Sequence, residues 1–548
     1  MLTQAASAAL VIVVSLLIKP LFSILRQIIH PYFSPLRDVT TVPGSSFLWG
    51  HRTKPFGSDP LVMHEQNVEK YGRIVKYKDV FNSDRLFVCD TRAIAHILNN
   101  TGTYTKGDAI RFNLKKSLGP GVLFVEGDEH RKQRRVMSPA FGLPHLRILT
   151  PIFVDKANQL RDIWKERILA PEGEKQSKGL IDASKWLSKL TLDIIGLAGF
   201  KYSFDALNPA DTPNELYAAV RLMLTAPRPS LIEALRFFVP VFRIFPSKRS
   251  RIVAKGRITM DAVGRRLLGD MKAAVVSEHD GKDKIERSDF QQKDILSLLV
   301  KANMATDLPE NSRLSDEDVL AQVPTFLIAG HETTSTSTAW ILFVLSKYPE
   351  VQDKLRAELL ACPDGDAPSM ETLNAFPYMD AVVREVLRLY CPLPSIVRVA
   401  EEDDFIPTEH EWTDRHGVKR SGIPISKGDG IFVPVMAINR LKEIWGPDAR
   451  EFKPERWENP PKEVSSVPGI WGNNLVFSSG PRACIGYRFS LVETKAILYA
   501  LVRAFKFSLA CGPDDIVIVE RGIMRPALAK EIEKGVQLPL WISPVDEL

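Results

Sequence analysis

Five cysteines in 548 residues, none of them paired as Cys-x-x-Cys, leave little room for cysteine-built structure. That shortage excludes zinc ribbons, cysteine-ligated iron–sulfur clusters and thioredoxin-like dithiols. An odd, scattered set (Cys89, Cys362, Cys391, Cys484, Cys511) also speaks for a reducing compartment rather than a disulfide framework. No arginine-rich tract or basic motif interleaved with aromatics occurs, and the formal charge of +6 is mild, so nucleic acid is not an expected partner. A Rossmann glycine fingerprint is missing too, so the chain holds no nicotinamide or flavin module of its own. His331-Glu332 invites a zinc-protease reading, but that motif needs a second histidine where Ser335 stands. What is plentiful is apolar: 45% hydrophobic against 25% charged residues supports a large core. Length alone would allow roughly three to four domains.

Ala5 to Ile18 is an apolar run broken only by Ser7 and Ser15, with Lys19-Pro20 and then Leu21 to Leu25 behind it. The run covers about 21 Å as helix, short of the ~30 Å hydrocarbon core. Snorkelling of Lys19, or continuation to Leu25, makes the span adequate. A signal peptide competes, but no basic n-region or clear cleavage site accompanies the run. The expectation is a single-pass transmembrane helix over 1–28, a proline-rich, non-helical hinge over 29–44 and a globular domain over 45–548. Lys19, Arg26 and Arg37 follow the run, which puts the bulk of the chain on the cytosolic side. The glycosylation acceptor Asn99-Asn100-Thr101 should then stay unmodified.

Residues 72 to 90 alternate and are rich in Val, Ile, Tyr and Phe, predicting two strands of a small sheet, and a short helix is expected from Thr91 to Leu98. Tyr104 to Glu126 has little periodicity and several glycines, the pattern of a loop over a pocket. Gly127 to Arg135 is a charge run, ordinarily a solvated helix face. His130 and Arg134 are four apart on one side of it, and Lys132 and Arg135 point elsewhere. Helical patterning runs with interruptions from Ile152 to about Met271. Within it Leu235 to Pro246 is the most apolar stretch outside the N-terminus; core burial is the default reading and bilayer contact the alternative. Residues 278 to 293 read as an exposed loop. Ser315-Asp316-Glu317-Asp318 offers an N-cap and acidic first turn to a helix reaching about Lys347, with Pro324 expected to break its ladder locally. Met379 to Tyr390 and Tyr487 to Arg503 are further helices.

The most specialised stretch is Phe477-Ser478-Ser479-Gly480-Pro481-Arg482-Ala483-Cys484-Ile485-Gly486. A lone cysteine in such a turn is usually a buried structural one. The alternative is a thiolate ligand, which on haem iron pushes electron density onto the metal and favours O–O cleavage. Gly480 and Gly486 suit that role by allowing φ > 0 and close backbone approach. The spacing Phe-x-x-Gly-x-Arg-x-Cys-x-Gly resembles the haem-ligating signature of the cytochrome P450 family, the haem-thiolate monooxygenases, and the chain as a whole is similar to microsomal, fungal secondary-metabolism members. Ala329-Gly330-His331-Glu332-Thr333-Thr334 is similar to the family's oxygen-activation motif. Glu385-Val386-Leu387-Arg388, followed by Phe452 to Trp457 with Arg456, matches its order as well.

The resemblance implies a mainly α fold with small β-sheets and a haem b held through Cys484 in the domain 45–548. It implies catalytic roles for Glu332 and Thr333, which relay protons. Cofactor contacts fall to His130 (tryptophan in many members), Arg134, Arg398, Phe477, Gly480, Arg482 and Gly486. Glu385, Arg388 and Arg456 form a buried structural triad. The substrate pocket is expected from Phe112, Phe124, Phe326, Ala329, Gly330, Ile396, Val397 and Ile523. The implied reaction inserts one atom of O2 into an apolar, terpenoid-like small molecule. Its electrons come from NADPH through a separate flavoprotein reductase at the endoplasmic reticulum membrane, and Lys132 and Arg135 are candidates for docking that donor. The alternatives are a haem-thiolate isomerase or dehydratase, which needs neither external electrons nor Thr333, and a non-enzymatic haem- or sterol-binding membrane protein.

Overall fold

The computed structural model describes residues 25–545, except 27, 48–49, 52–59, 80–81, 170–178, 209–213, 225–231, 234–235, 237–239, 279–293, 305–312 and 521. The expected anchor over 1–28 and the loop over 278–293 lie almost wholly outside these residues. Among the described residues no helix is long and apolar enough to cross a membrane.

The fold is mainly helical, with small sheets at its margins. The expected strands form as β1 (Ile74–Lys78) and β2 (Asp84–Val88), antiparallel, with Val75 opposite Phe87. They are followed by α1 (Thr91–Asn99), whose N-cap Asp90 accepts from Ala93 N. With β3 (Tyr104–Thr105), β4 (Ile396–Ala400) and β5 (Gly430–Val433) they make a five-stranded sheet in the order β1-β2-β5-β4-β3. This sheet thus joins segments some 300 residues apart in sequence.

Tyr104–Glu126 is not a plain loop. It contains β3 and α2 (Asp108–Ser117), which has an acidic first turn and basic residues in its last. That charge order suits the helix dipole. No residue of α2 is buried, so the helix lacks the core-facing stripe that periodicity detects. The hinge expectation over 29–44 also needs correction. Pro35–Asp38 is a 3-10 helix capped by Ser34, and Leu36, Val39 and Val42 are buried in the core of the sheet. Proline at the start of a helix costs no hydrogen bond, so this Pro-rich stretch can be both helical and packed.

The larger core is built from α3 (Gly127–Met137), α4 (Leu143–Leu169), α5 (Ala183–Phe200), α6 (Lys248–Glu278), α7 (Asp316–Lys347), α8 (Pro377–Leu389) and α9 (Tyr487–Ala504). Ser315 and Asp318 close a capping box at the start of α7, with reciprocal bonds of 3.1 and 3.0 Å. Helix α7 runs through Pro324 without interruption. The turn there is gripped from outside: Gln322 accepts from Val122 N at 3.1 Å and donates to Gln133 Oε1 at 3.0 Å. Gly121 lies so close that a Cβ would meet Thr325 Oγ1 at 2.6 Å. Tertiary packing here outweighs the ~3 kcal/mol cost of an internal proline. Near the C-terminus β6 (Ile516–Glu520) and β7 (Met524–Leu528) form a hairpin, with Val519 opposite Arg525.

Candidate active site

Between α1 and α9 the Cys484 loop folds back on itself, Cys484 N donating to the Phe477 carbonyl at 2.9 Å. Gly480 sits at φ +68°, and a Cβ there would meet the Leu98 carbonyl of α1 at 2.5 Å, so only glycine fits. Gly486 differs from expectation: its φ is −91° and a Cβ would make only ordinary contact with Phe141 at 3.6 Å. Its use lies in its N–H, which is aimed at the sulfur. Phe477 is half-buried, its ring edge-on to Trp471 at 5.5 Å. Cys484 is exposed by surface area and yet deep within the protein, which both hold because it faces an internal chamber. Burial pushes its thiol pKa up, and the Gly486 N–H and the Arg134 charge oppose that shift. Arg134 itself donates to the Ala483 carbonyl at 2.6 Å, so it braces the loop one residue before the sulfur.

Beside the loop lies a buried cluster of cations. Arg398 and Arg482 are pushed down to about 10 by burial, and Lys106 to about 6 by burial and by the neighbouring Arg482, Arg398 and Arg111. His130 is pushed down to about 4 by burial and then by Lys106, so its ring is neutral at pH 7. Glu126 meets this group, ion-paired to Arg482 and 3.6 Å from Lys106 Nζ. Arg111 Nε is buried without an acceptor. Such an excess of enclosed positive charge is a seat for an anionic group. Lys106 and Arg111 escaped sequence reasoning because they lie in the stretch read as a loop.

Helix α7 is buried along most of its length but half-open at Ile328, Ala329, Gly330, Glu332 and Thr333. Thr333 Oγ1 donates to the Ala329 carbonyl at 2.7 Å, and Glu332 is ion-paired to Arg525. His331 faces the core instead, its Nδ1 3.0 Å from the Leu327 carbonyl. Gly330 serves helix packing, since a Cβ would meet Ile195 of α5 at 3.0 Å.

A cavity of about 320 Å³ opens near this window, lined by Ile110, Leu114, Leu118, Met223, Val253 and Ile328, with Asn113, Ser117 and Arg249 as its polar residues. None of the eight expected pocket residues lines it. Phe112 lies off the Ile110–Leu114 face of α2 and carries Lys116 and Arg243 over its ring, each at 4.6 Å. Phe124 is covered by Arg111 at 5.1 Å, and Phe326 turns into the core against Phe141 at 5.5 Å. Ala329, Ile396, Val397 and Ile523 are half-buried.

The expected triad assembles. Arg388 donates twice to Glu385, at 2.9 and 2.7 Å, and Arg456 Nε donates to Glu385 Oε1 at 3.2 Å. Sequence reasoning missed Asp448, which accepts from Arg456 Nη1 at 2.6 Å, and Trp457, whose indole donates to Glu385 Oε2 at 3.1 Å.

The cytochrome P450 family model matches residues 45–533. The chain belongs to the cytochrome P450 family. It is 48% identical over 513 residues to cytochrome P450 monooxygenase 205 of Postia placenta, covering 93% of each chain. Identity is 44% over 525 residues to cytochrome P450 monooxygenase 128 of the same fungus, covering 95% of each. Against cytochrome P450 monooxygenase claW of Ampulloclitocybe clavipes it is 33% over 512 residues, covering 92% of each. This P450 is therefore an oxidoreductase of a family that works with thiolate-ligated haem iron and O2. Its residues fit that group: a cysteine opening onto an enclosed chamber, and beside it a cationic seat suited to the two haem carboxylates.

Proposed function

We propose that this P450 inserts one oxygen atom of O2 into an apolar, terpenoid-like small molecule of secondary metabolism, with Cys484 as the thiolate ligand of haem b. The observation that carries this reading is the Cys484 loop, with the sulfur facing a chamber, a backbone N–H aimed at it and an arginine bracing the residue before it. When bound, haem supplies the iron at which O2 is activated. Arg398, Arg482 and, once it takes up a proton, Lys106 neutralise its carboxylates, His130 offers them a neutral ring N–H, and Phe477, Gly480 and Gly486 shape the loop behind it. At the open window of α7, Thr333 holds a hydroxyl and Glu332 is the adjoining carboxylate from which a proton can be resupplied. The apolar lining supports a hydrocarbon-rich substrate, and the similarity to fungal cytochrome P450 monooxygenases supports the oxygen insertion.

Electrons arrive from NADPH through a separate flavoprotein reductase, received on the outer face of α3 near Lys132 and the exposed Arg135. Residues 1–28 anchor the protein in the endoplasmic reticulum membrane with its bulk in the cytosol. The exposed Phe33, Ile244 and Phe245 support further contact with that membrane.

The test is the carbon monoxide difference spectrum of the reduced, haem-loaded protein. The thiolate-type Soret shift is expected in the natural chain and is lost in Cys484→Ser. A natural chain without that shift, or a Cys484→Ser variant that keeps it, overturns the ligand assignment.

A further inference from the structure

Glu332 and Arg525, 193 residues apart, meet as an ion pair at the edge of the window in α7. Both side chains are nearly enclosed, at 13% and 14% exposure, so their attraction is little screened by solvent. Arg525 is the second residue of β7, and Ile523, in the turn of the hairpin, lies two residues before it. The strand is fastened at its start: Trp340 Nε1 donates to the Met524 carbonyl at 2.9 Å, and Met524 N donates to the Pro392 carbonyl at 2.9 Å. Trp340 stands about two turns beyond Glu332 on α7. The helix therefore holds this strand at two points, of which one is the carboxylate beside Thr333. Among the described residues His331 also feels Arg525; it is fully enclosed and pushed down chiefly by burial, hence neutral at pH 7.

We propose that Arg525 is the positioning residue of the Glu332–Thr333 pair. It fixes the carboxylate beside the threonine and couples that placement to the hairpin tip at Ile523. The proposal rests on the monooxygenase reading with Glu332 as proton source. Loss of the guanidinium frees the Glu332 side chain to turn towards water, and proton supply at Thr333 loses its geometry. Reducing equivalents then leave as hydrogen peroxide instead of product.

The first measurement is thermal unfolding of the haem-loaded natural chain, Glu332→Gln, Arg525→Gln and the double variant, without turnover. The two single losses in Tm are expected to be non-additive, as for residues in one ion pair. The second is peroxide formed per NADPH consumed, which is expected to rise severalfold in Arg525→Gln and to fall back in Arg525→Lys. Trp340→Phe removes the other fastening, so it should lower Tm while leaving the peroxide fraction unchanged. Additive Tm losses, or a rise in peroxide for Trp340→Phe equal to that of Arg525→Gln, overturn the proposal. Failure of the monooxygenase reading is seen separately, in the carbon monoxide spectrum.

Discussion

Lys106 follows β3 directly, and the pairing of Thr105 with Val399 sets it beside Arg398. In sequence it is one lysine in a stretch without periodicity; in the fold it is an enclosed amine among arginines. Its pKa of about 6 means that it is mostly uncharged at pH 7.5. Two haem carboxylates arriving at this seat raise that value, so haem binding should take up about one proton at pH 7.5, about half a proton at pH 6 and little below pH 5, where the amine is already charged. Calorimetry of haem binding in two buffers of different ionisation enthalpy reads the uptake, and Lys106→Met should abolish it. Gly480 and Gly486 show the same limit of spacing arguments. Both match the motif, yet only Gly480 occupies a backbone and a contact that exclude a Cβ.

At the scale of elements, Glu385-x-x-Arg388 is legible as a helical pair, but its depth is not. Arg388 and Glu385 are completely buried, and Arg388 also donates to the Asn439 and Ala449 carbonyls at 2.7 and 2.6 Å. Arg456→Met leaves Glu385 and Asp448 short of a partner and should cost about 3–5 kcal/mol of stability, measured by urea unfolding. Asp448 is held down to about 2, first by its bond from Arg456. A carboxylate depressed in this way stabilises the fold above its ordinary value near 4, and that contribution is lost as pH falls towards 2. Asp448→Asn should therefore flatten the pH dependence of stability between pH 4 and pH 2. Helix α7 repeats the theme: its cap, length and oxygen motif are local and readable, whereas its passage through Pro324 depends on Gly121 and Gln133 from elsewhere.

For the whole molecule, the N-terminal segment is tied into the globule before it leaves the described residues. Asp429 accepts from Ser34 Oγ at 2.8 Å and lies 2.8 Å from His30 Nε2. If residues 1–28 hold the membrane anchor, deletion of residues 1–25 should move the protein from the membrane pellet to the soluble fraction at high salt, with the haem spectrum retained. A truncated protein that still pellets assigns the residual attachment to the globule, with Ile244 and Phe245 as the first residues to replace by serine. Cytosolic placement also requires Asn99 to carry no glycan, and a glycosidase-sensitive mass at that peptide would reverse the orientation.

The sequence by itself determined the family, because the signals for it are local. A cysteine between glycines, an acid–hydroxyl pair on a capped helix and a helical Glu-x-x-Arg are all set by spacing along a few turns of chain. The helical character and the first two strands followed from periodicity for the same reason. Only the tertiary structure decided which distant groups meet those motifs: Lys106 and Glu126 at the cationic seat, Asp448 and Trp457 at the triad, Arg525 on Glu332. It also set Ile110, Leu114 and Ile328 around the cavity beside α7, while Phe112 and Phe326 pack elsewhere. Periodicity tells which residues share a face; what that face is pressed against depends on strand pairing and burial between segments hundreds of residues apart.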